Sequence, residues 1–211
     1  MAKDLTDIAD IDDGKMAGGL EALMARAKYA GAGLPPVEKW NPPFCGDLDM
    51  RIAANGLWYY MGTPIGREAL VRLFSTVLRK DEDGKTYLVT PVEKIGITVD
   101  DAPFFAVELN AHTEAGEQVL TLRTTVGDVI EVNEDHPLRF EDEDVTGGVK
   151  PYVHVRGRLD ALLARPLLYQ LVDLGETKPI DGVDMFGISS RGIFYPIMRQ
   201  DELDRLAAES D

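Results

Sequence analysis

Alternating and helical patterns of hydrophobic residues follow one another along the first part of the chain. Asn55-Gly56 lies between two apolar runs, which is the strongest short-range signal for a β-hairpin, and predicts two antiparallel strands over residues 49–61. Thr63-Pro64 then fits an N-cap followed by proline at the first helical position. A helical stripe comes next, made of Leu70, Leu73, Phe74, Val77 and Leu78. Residues 86–90 and 94–99, rich in β-branched side chains, complete a predicted order of strand, strand, helix, strand, strand.

The pattern after residue 104 is mainly that of β-strands. Short apolar runs bounded by Gly, Asn, Asp or Pro predict a further sheet. Between residues 159 and 172 the leucines are spaced as on one face of a helix, and we expect Pro166 to kink that helix or to divide it into two pieces. A last hairpin is predicted over residues 188–197.

Two of the predicted hairpins match each other in residue type. ISSRGIFY, residues 188–195, follows the same pattern as IAANGLWY, residues 52–59, position by position. The match predicts a duplicated motif, although ordinary turn chemistry in two unrelated hairpins would give the same pattern. We therefore predict an α+β fold of two similar halves, each a mainly antiparallel β-sheet with a packed helix, plus an N-terminal helical arm. The predicted halves are residues 44–112 and 113–205.

Residues 1–43 form the predicted arm and differ in composition from the rest of the chain. An acidic tail is followed by a short helix, because Leu20, Leu23, Met24 and Ala27 recur at helical spacing. Glycines and prolines then interrupt any periodicity from residue 31 to residue 43, which predicts an extended connector with Trp40 as its anchor.

Composition narrows the classes of function. The 211 residues carry a formal net charge of -15, which opposes binding to nucleic acid or to an anionic membrane. Cys45 is the only cysteine, so neither a disulfide framework nor a CxxC motif exists. Because the acidic N-terminus lacks the features of a signal peptide and no apolar run reaches the length of a membrane helix, we expect a cytoplasmic protein. Nothing in the sequence calls for a cofactor.

Asp47 and Asp49 are the first candidate site. At alternate positions of a strand, both carboxylates share one face, where they would suit acid–base chemistry or a hard cation. The structural alternative is that Asp47 bonds the turn while Asp49 pairs with Arg51 or Arg67.

The segment that follows offers a candidate anion site. Gly62, Thr63 and Gly66 at a helix start would present backbone N–H groups, with help from Arg67 and Arg72, although a plain N-cap explains the same residues. Just before it, Trp58, Tyr59 and Tyr60 alternate along a strand, so that Trp58 and Tyr60 share one face. One face is expected in the core, and the other to offer an aromatic side chain to a ligand or partner.

Basic and metal-binding residues supply the remaining candidates. His154, Arg156 and Arg158 alternate in VHVRGR and would line a basic strip, which would either hold an anionic ligand or neutralise the acidic run at 141–144. The histidines, His112, His136 and His154, are scattered and form no metal-binding motif, so we predict no metal site. Cys45 lies beside two aspartates, which disfavour its thiolate, and we expect it to be structural.

The phrases GDLDMRI, GLWYYMGTPIGREALVRLF and YLVTPVEKIGI lie between Cys45 and Phe104. This run resembles the core of the bacterial domain-of-unknown-function family numbered 1285, and a weaker resemblance continues to about Pro196. The resemblance implies a fold with repeated structural motifs and a link to signal transduction. It implies no reaction, ligand or catalytic residue.

These observations favour a noncatalytic ligand-binding or regulatory module that binds a small anionic molecule or a protein partner near the junction of the two halves. One alternative is a hydrolase or transferase that uses Asp47 and Asp49 with an arginine clamp. Another is a structural protein that assembles through its arm helix and exposed aromatic side chains, as a homo-oligomer for example.

Overall fold

The structure is a computed structural model that describes residues 34–143 and 148–209. Within these residues the chain is mainly β, with three α-helices and a 3₁₀ turn at Val37–Lys39. The helices are α1 (Glu68–Thr76), α2 (Arg165–Asp173) and α3 (Gln200–Glu209). The strands are β1 (Phe44–Ile52), β2 (Trp58–Tyr60), β3 (Thr63–Pro64), β4 (Leu78–Lys80), β5 (Thr86–Val89), β6 (Lys94–Val99), β7 (Phe104–Glu114), β8 (Glu117–Thr124), β9 (Val129–Glu131), β10 (Leu138–Glu143), β11 (Gly148–Arg156), β12 (Leu159–Leu163), β13 (Glu176–Ile180), β14 (Val183–Ser190) and β15 (Ile193–Arg199).

Two six-stranded sheets share one order of connections. In the first sheet, of order β3-β2-β1-β6-β5-β4, the chain starts at the centre, runs outward to one edge, crosses to the other edge and returns to the centre. The second sheet, β10-β11-β12-β7-β8-β9, repeats this path. In both, the two central strands are parallel, β1 with β6 and β7 with β12. Each sheet is therefore mixed but mainly antiparallel, since its other four strand pairs are antiparallel. A third sheet, β13-β14-β15, follows them.

Left-handed residues followed by glycine close several hairpins. Met61-Gly62, Ala115-Gly116, Asp181-Gly182 and Arg191-Gly192 all have positive φ at both positions. This geometry matches the right-handed twist of the strands that the turns connect. The predicted hairpin at Asn55-Gly56 is confirmed as β1 and β2, but only Gly56 has positive φ there.

The helix predicted from Thr63-Pro64 was placed wrongly. These two residues form β3, because the Met61-Gly62 turn folds the chain back against β2. The helix begins at Glu68 and ends at Thr76, and Leu78–Lys80 forms a strand that pairs with β5. Pairing with the next strand, where Leu78 lies opposite Leu88, thus prevails over the helical spacing that Leu78 continues.

The helix predicted from residue 159 was also wrong in its first part. Leu159–Leu163 is a strand held between β11 and β7. Pro166 lies in the first turn of α2, where the missing backbone N–H costs no helical hydrogen bond.

The sequence match between the two hairpins does not correspond to the structural repeat. In order of connections, β1 and β2 correspond to β7 and β8, whereas the hairpin at 188–197 belongs to the third sheet. The pairings differ as well, since Ile52 lies opposite Trp58 but Ile188 lies opposite Tyr195. A packed helix follows β3 in the first sheet, but residues 132–137 join β9 to β10 without one.

One cluster of buried apolar side chains includes residues of all three sheets, such as Trp58, Leu122 and Ile188, together with Phe74 of α1 and Leu171 of α2. The connector packs against this cluster through Val37 and Trp40. The predicted helix of the arm lies outside the described residues. The predicted division at residues 112 and 113 falls within β7.

Candidate functional site

In the structure the first half contains the first sheet, β1 to β6, and the second half begins with β7. A cleft of about 460 Å³ lies between α1 of the first half and the β7–β8 pair of the second. Its first wall consists of Ile65, just before α1, and of three residues of the helix itself. These three, Glu68, Val71 and Arg72, share one face of α1 because Val71 and Arg72 lie three and four residues after Glu68. Its second wall consists of Val107 and Glu108 of β7, Arg123 and Thr124 of β8, and residues 125–127 of the following turn. The hairpin turn at 55–57 and Trp58 complete the lining.

Each wall carries one arginine paired with one glutamate. On α1, Arg72 Nη2 lies 3.7 Å from Glu68 Oε2. Across the two strands, Arg123 Nε lies 2.9 Å from Glu108 Oε2. All four side chains are more than half exposed. Ion pairs this exposed contribute about 0–1 kcal/mol to stability, so a ligand can take over either arginine at little cost.

Arg156 fixes one end of the cleft. Its guanidinium donates to the Ser75 carbonyl oxygen near the end of α1 at 2.8 Å, and to Asp128 Oδ2 beyond the β8–β9 turn at 3.3 Å. The same group lies 4.7 Å from the centre of the Phe104 ring. Arg156 therefore links the end of α1 to Asp128, the residue that follows Gly127 of the second wall.

The three consecutive aromatic residues of β2 separate as their alternation predicts. Trp58 is 3% exposed and stacks on Phe74, with ring centres 6.4 Å apart, and Tyr60 packs against the same core. Tyr59 points the other way, where Arg51 lies 4.8 Å from its ring centre and pairs with Asp100. Trp58 thus contributes to the cleft only from the edge of the core.

The carboxylates and the proposed helix-start site lie outside this cleft. Asp47 and Asp49 share the exposed face of β1, as their spacing predicts, and Asp47 lies against Gly96 of β6. Of the two arginines named as alternative partners of Asp49, Arg51 pairs with Asp100 at 2.5 Å. Thr63 and Gly66 are exposed on either side of Pro64, and Arg67 is exposed at the N-cap of α1.

A bulge divides the predicted basic strip. The register of β11 against β12 shifts between His154 and Arg156, and His154 bonds Asp160 while Arg156 bonds the Ser75 carbonyl oxygen near the end of α1. Arg158 follows in the turn and pairs with Glu82 at 3.0 Å. The structure therefore does not bring the three residues together.

Arg158 instead lines a small polar cavity between residues of the first and second halves, and His154 bonds Asp160 at its edge. A cavity of about 190 Å³ is lined by Lys80, Asp101, Ala102, Pro103, Arg139, Glu141, Tyr152, Arg158 and Asp160. Asp101 accepts hydrogen bonds from Tyr152 Oη and Lys150 Nζ, both at 2.8 Å. Burial raises the pKa of Tyr152, and the bond to Asp101 raises it further, so the phenol stays protonated at neutral pH. The carboxylates offset the cations, which makes this region an ion-pair network between segments of the chain.

Over residues 34–143 and 148–209, no group of three or more His, Cys, Asp or Glu side chains is arranged to hold a metal ion. None of the helices in this part of the chain is long and apolar enough to cross a membrane. Cys45 is a free, exposed thiol and not a buried one.

Sequence reasoning found the first wall of the cleft in part and missed the second. Arg72 was named as an anion ligand, and Glu68 four residues before it carries the usual signal of a helical ion pair. Glu108 and Arg123 face each other only because β7 and β8 pair in one register. The two-residue turn at Ala115-Gly116 sets that register, so the signal for this pair lies in the turn and not at Glu108 or Arg123.

Family models cover most of the described chain. The model "Domain of unknown function (DUF1285), N-terminal domain" matches residues 35–102, and "Protein of unknown function (DUF1285), C-terminal domain" matches residues 103–197. The chain belongs to the DUF1285 family. The two models meet where the first sheet ends and the second begins, which confirms the resemblance noted from the sequence.

Two solved DUF1285 structures resemble this one. A DUF1285 family protein from Silicibacter pomeroyi DSS-3 is 50% identical, covers 87% of this chain and 98% of its own, and superposes with a TM-score of 0.78. A DUF1285 family protein from Shewanella baltica OS155 is 26% identical, covers 60% of this chain and 91% of its own, and has a TM-score of 0.47. No curated protein matches the sequence.

Proposed function

We propose that this DUF1285 protein is a ligand-binding module that holds a small anionic molecule in the cleft between its halves. The observation that carries the proposal is the convergence of Arg72 and Arg123 on one cleft from different halves. A guanidinium group offers several hydrogen-bond donors in a planar arrangement that matches a carboxylate or phosphate. The present partners of both arginines are exposed, so the exchange for a ligand costs little.

The shape of the cleft supports the proposal. Its volume of about 460 Å³ lies in the range of small-molecule sites. Ile65, Val71 and Val107 provide apolar lining between the charged groups. A ligand with a compact apolar body and an anionic group would therefore fit this surface better than a fully hydrated ion.

A regulatory role follows from the position of the cleft. A ligand that contacts both walls binds only one spacing of α1 and the β7–β8 pair, so its concentration sets the population of that spacing. We also propose the cytoplasm as the place of action, since the single exposed thiol of Cys45 fits a reducing compartment.

A thermal-shift screen tests the proposed function. The panel contains amino acids, phosphorylated sugars, nucleotides, mono- and dicarboxylates, and inorganic phosphate and sulfate. A member present at about one hundred times its Kd stabilises the folded state by roughly 2.7 kcal/mol, which raises the Tm by about 5–10 °C in a chain of this size.

Two substitutions locate the site. Arg123→Gln should reduce affinity for any active member at least tenfold, since it removes one guanidinium from the cleft. Arg199→Gln is the matched control, because Arg199 forms an equally exposed pair with Asp201 at 2.9 Å outside the cleft. A panel without effect, or an effect that both variants retain, would refute the proposal.

A further inference from the structure

The balance of charge in the cleft restricts the ligand more than its arginines alone do. Glu68 and Glu108 line the cleft beside Arg72 and Arg123, so each wall presents one positive and one negative group. A singly charged anion that paired with an arginine would leave the neighbouring glutamate unpaired and close to the anion. Like charges at such distances repel, and this repulsion opposes binding of a simple anion.

A ligand with both charges avoids this penalty. Its anionic group takes one arginine, and its ammonium group takes the glutamate that this arginine releases. The two walls make such an exchange straightforward, because the pair on α1 is already long at 3.7 Å and the pair on β7–β8 is exposed on both sides. The apolar lining from Val71 and Val107 then contacts the body of the ligand.

We propose that the cleft selects zwitterions, namely small amino acids or amino-acid-like molecules with an apolar side chain, over ligands that carry a single charge. The proposal rests on the proposed function, since it names the ligand class of the same cleft. It concerns charge pattern and size and requires no chemical step.

Matched probes separate the contribution of each charge. L-Leucine is compared with N-acetyl-L-leucine, which keeps only the carboxylate, and with L-leucinamide, which keeps only the ammonium group. L-Phenylalanine and its N-acetyl and amide derivatives form a second series with a larger side chain. Affinities are measured on the full chain by isothermal titration calorimetry, with ligand-observed NMR for millimolar values.

We expect at least one zwitterion to bind tenfold or more tightly than both of its singly charged derivatives. Glu108→Gln should weaken the zwitterion at least fivefold while it leaves the N-acetyl derivative unchanged or improves it. Arg123→Gln should weaken binding of the zwitterion at least fivefold while it leaves the affinity for the amide derivative unchanged. Both side chains are more than half exposed, so the variants are expected to fold, and circular dichroism melts verify this.

The outcomes distinguish the two proposals. If an N-acetyl derivative binds as tightly as its parent and Arg123→Gln abolishes binding, the zwitterion inference is wrong and the anion-binding function stands. The highest probe concentration is about 20 mM, roughly twenty times a millimolar Kd. If no probe of either series binds at that concentration, the inference is overturned. If the anion panel also fails to shift the Tm, the proposed function falls with it.

Discussion

At the scale of single residues, Arg79 shows how this acidic protein uses a buried cation. The side chain is 7% exposed and donates to the carbonyl oxygens of Val37 and Trp40 at 2.9 and 2.7 Å. Its remaining bonds go to Asp81, which also receives Lys94 Nζ at 2.9 Å. Arg79 thus ties the connector at 34–43 to the first sheet, and Asp81 supplies the charge that makes its burial tolerable.

The first prediction concerns the pH dependence of this contact. Burial raises the pKa of Asp81, but the hydrogen bonds and charges of Arg79 and Lys94 more than offset this and hold it below 3.8. The unfolded chain therefore binds more protons as acid is added, so stability from Asp81 is fully present above pH 3.8 and lost as pH falls through the folded pKa. Asp81→Asn should destabilise the protein by about 2–3 kcal/mol at pH 7 and by progressively less below pH 4.

Urea denaturation between pH 3 and pH 7 measures this difference. Asp184→Asn is the control, because Asp184 is an exposed carboxylate on β14. A loss of stability for Asp81→Asn that stays constant down to pH 3 would show that the carboxylate charge is not what holds Arg79.

At the scale of elements, the sequence predicted what local chemistry determines. Hairpins at Asn55-Gly56 and Arg191-Gly192 form where the turn residues indicate them, because positive φ at glycine is a property of a few adjacent residues. The parallel pairs β1–β6 and β7–β12 were missed, since they join segments about 50 residues apart. Helix limits failed at Leu78 and Leu159 for a different reason, because each residue lies in a strand that pairs with an adjacent hairpin strand while its spacing also continues a helical stripe.

In the candidate site, Arg72 could be named from its place on a predicted helix. Arg123 was missed because its pairing with Glu108 becomes visible only when Ala115-Gly116 is taken as a two-residue hairpin turn. The bulge after His154 gave Arg156 a different role from the one its alternation predicted. A local irregularity of one residue is enough to move a side chain to another face of the sheet.

The second prediction concerns the close approach of two strands in the third sheet. A methyl group added at Gly187 would collide with the Tyr195 carbonyl oxygen, and would lie 2.7 Å from Phe194 Cζ and 2.9 Å from Pro196 Cα. These are partly backbone atoms of the paired strand, which cannot move without loss of ladder hydrogen bonds. Gly187→Ala should therefore destabilise the protein by about 3 kcal/mol, at the upper end of the usual cost of overpacking.

Gly96→Ala is the matched comparison. There the added methyl group would collide with Asp47 Oδ1, the end of an exposed side chain that can rotate away. We expect a loss of less than about 1 kcal/mol for this variant, measured by urea denaturation alongside the first. Equal losses for both glycines would contradict the view that backbone contact decides the cost.

At the scale of the whole molecule, the two halves have separate sheets but a shared core. The family models divide the chain at residues 102 and 103, yet one apolar cluster contains Trp58 and Phe74 of the first half with Leu122 and Leu171 of the second. Arg156 adds a polar link from β11 to the end of α1. A division in sequence therefore does not imply two independently stable units.

The third prediction is that the halves unfold together. Both tryptophans, Trp40 and Trp58, lie in the first half, so their fluorescence reports on that half alone. Leu171 lies in α2 of the second half and is fully buried, so Leu171→Ala should cost about 3 kcal/mol through lost burial and a cavity. If the core is one cooperative unit, the tryptophan transition in urea should shift as far as the transition seen by far-UV circular dichroism.

Val172→Ala, at an exposed position on the same helix, should leave both transitions within about 0.5 kcal/mol of the parent. A tryptophan transition that stays in place while the circular dichroism transition moves would show that the first half folds alone, and the cleft would then join two bodies whose spacing a ligand must fix.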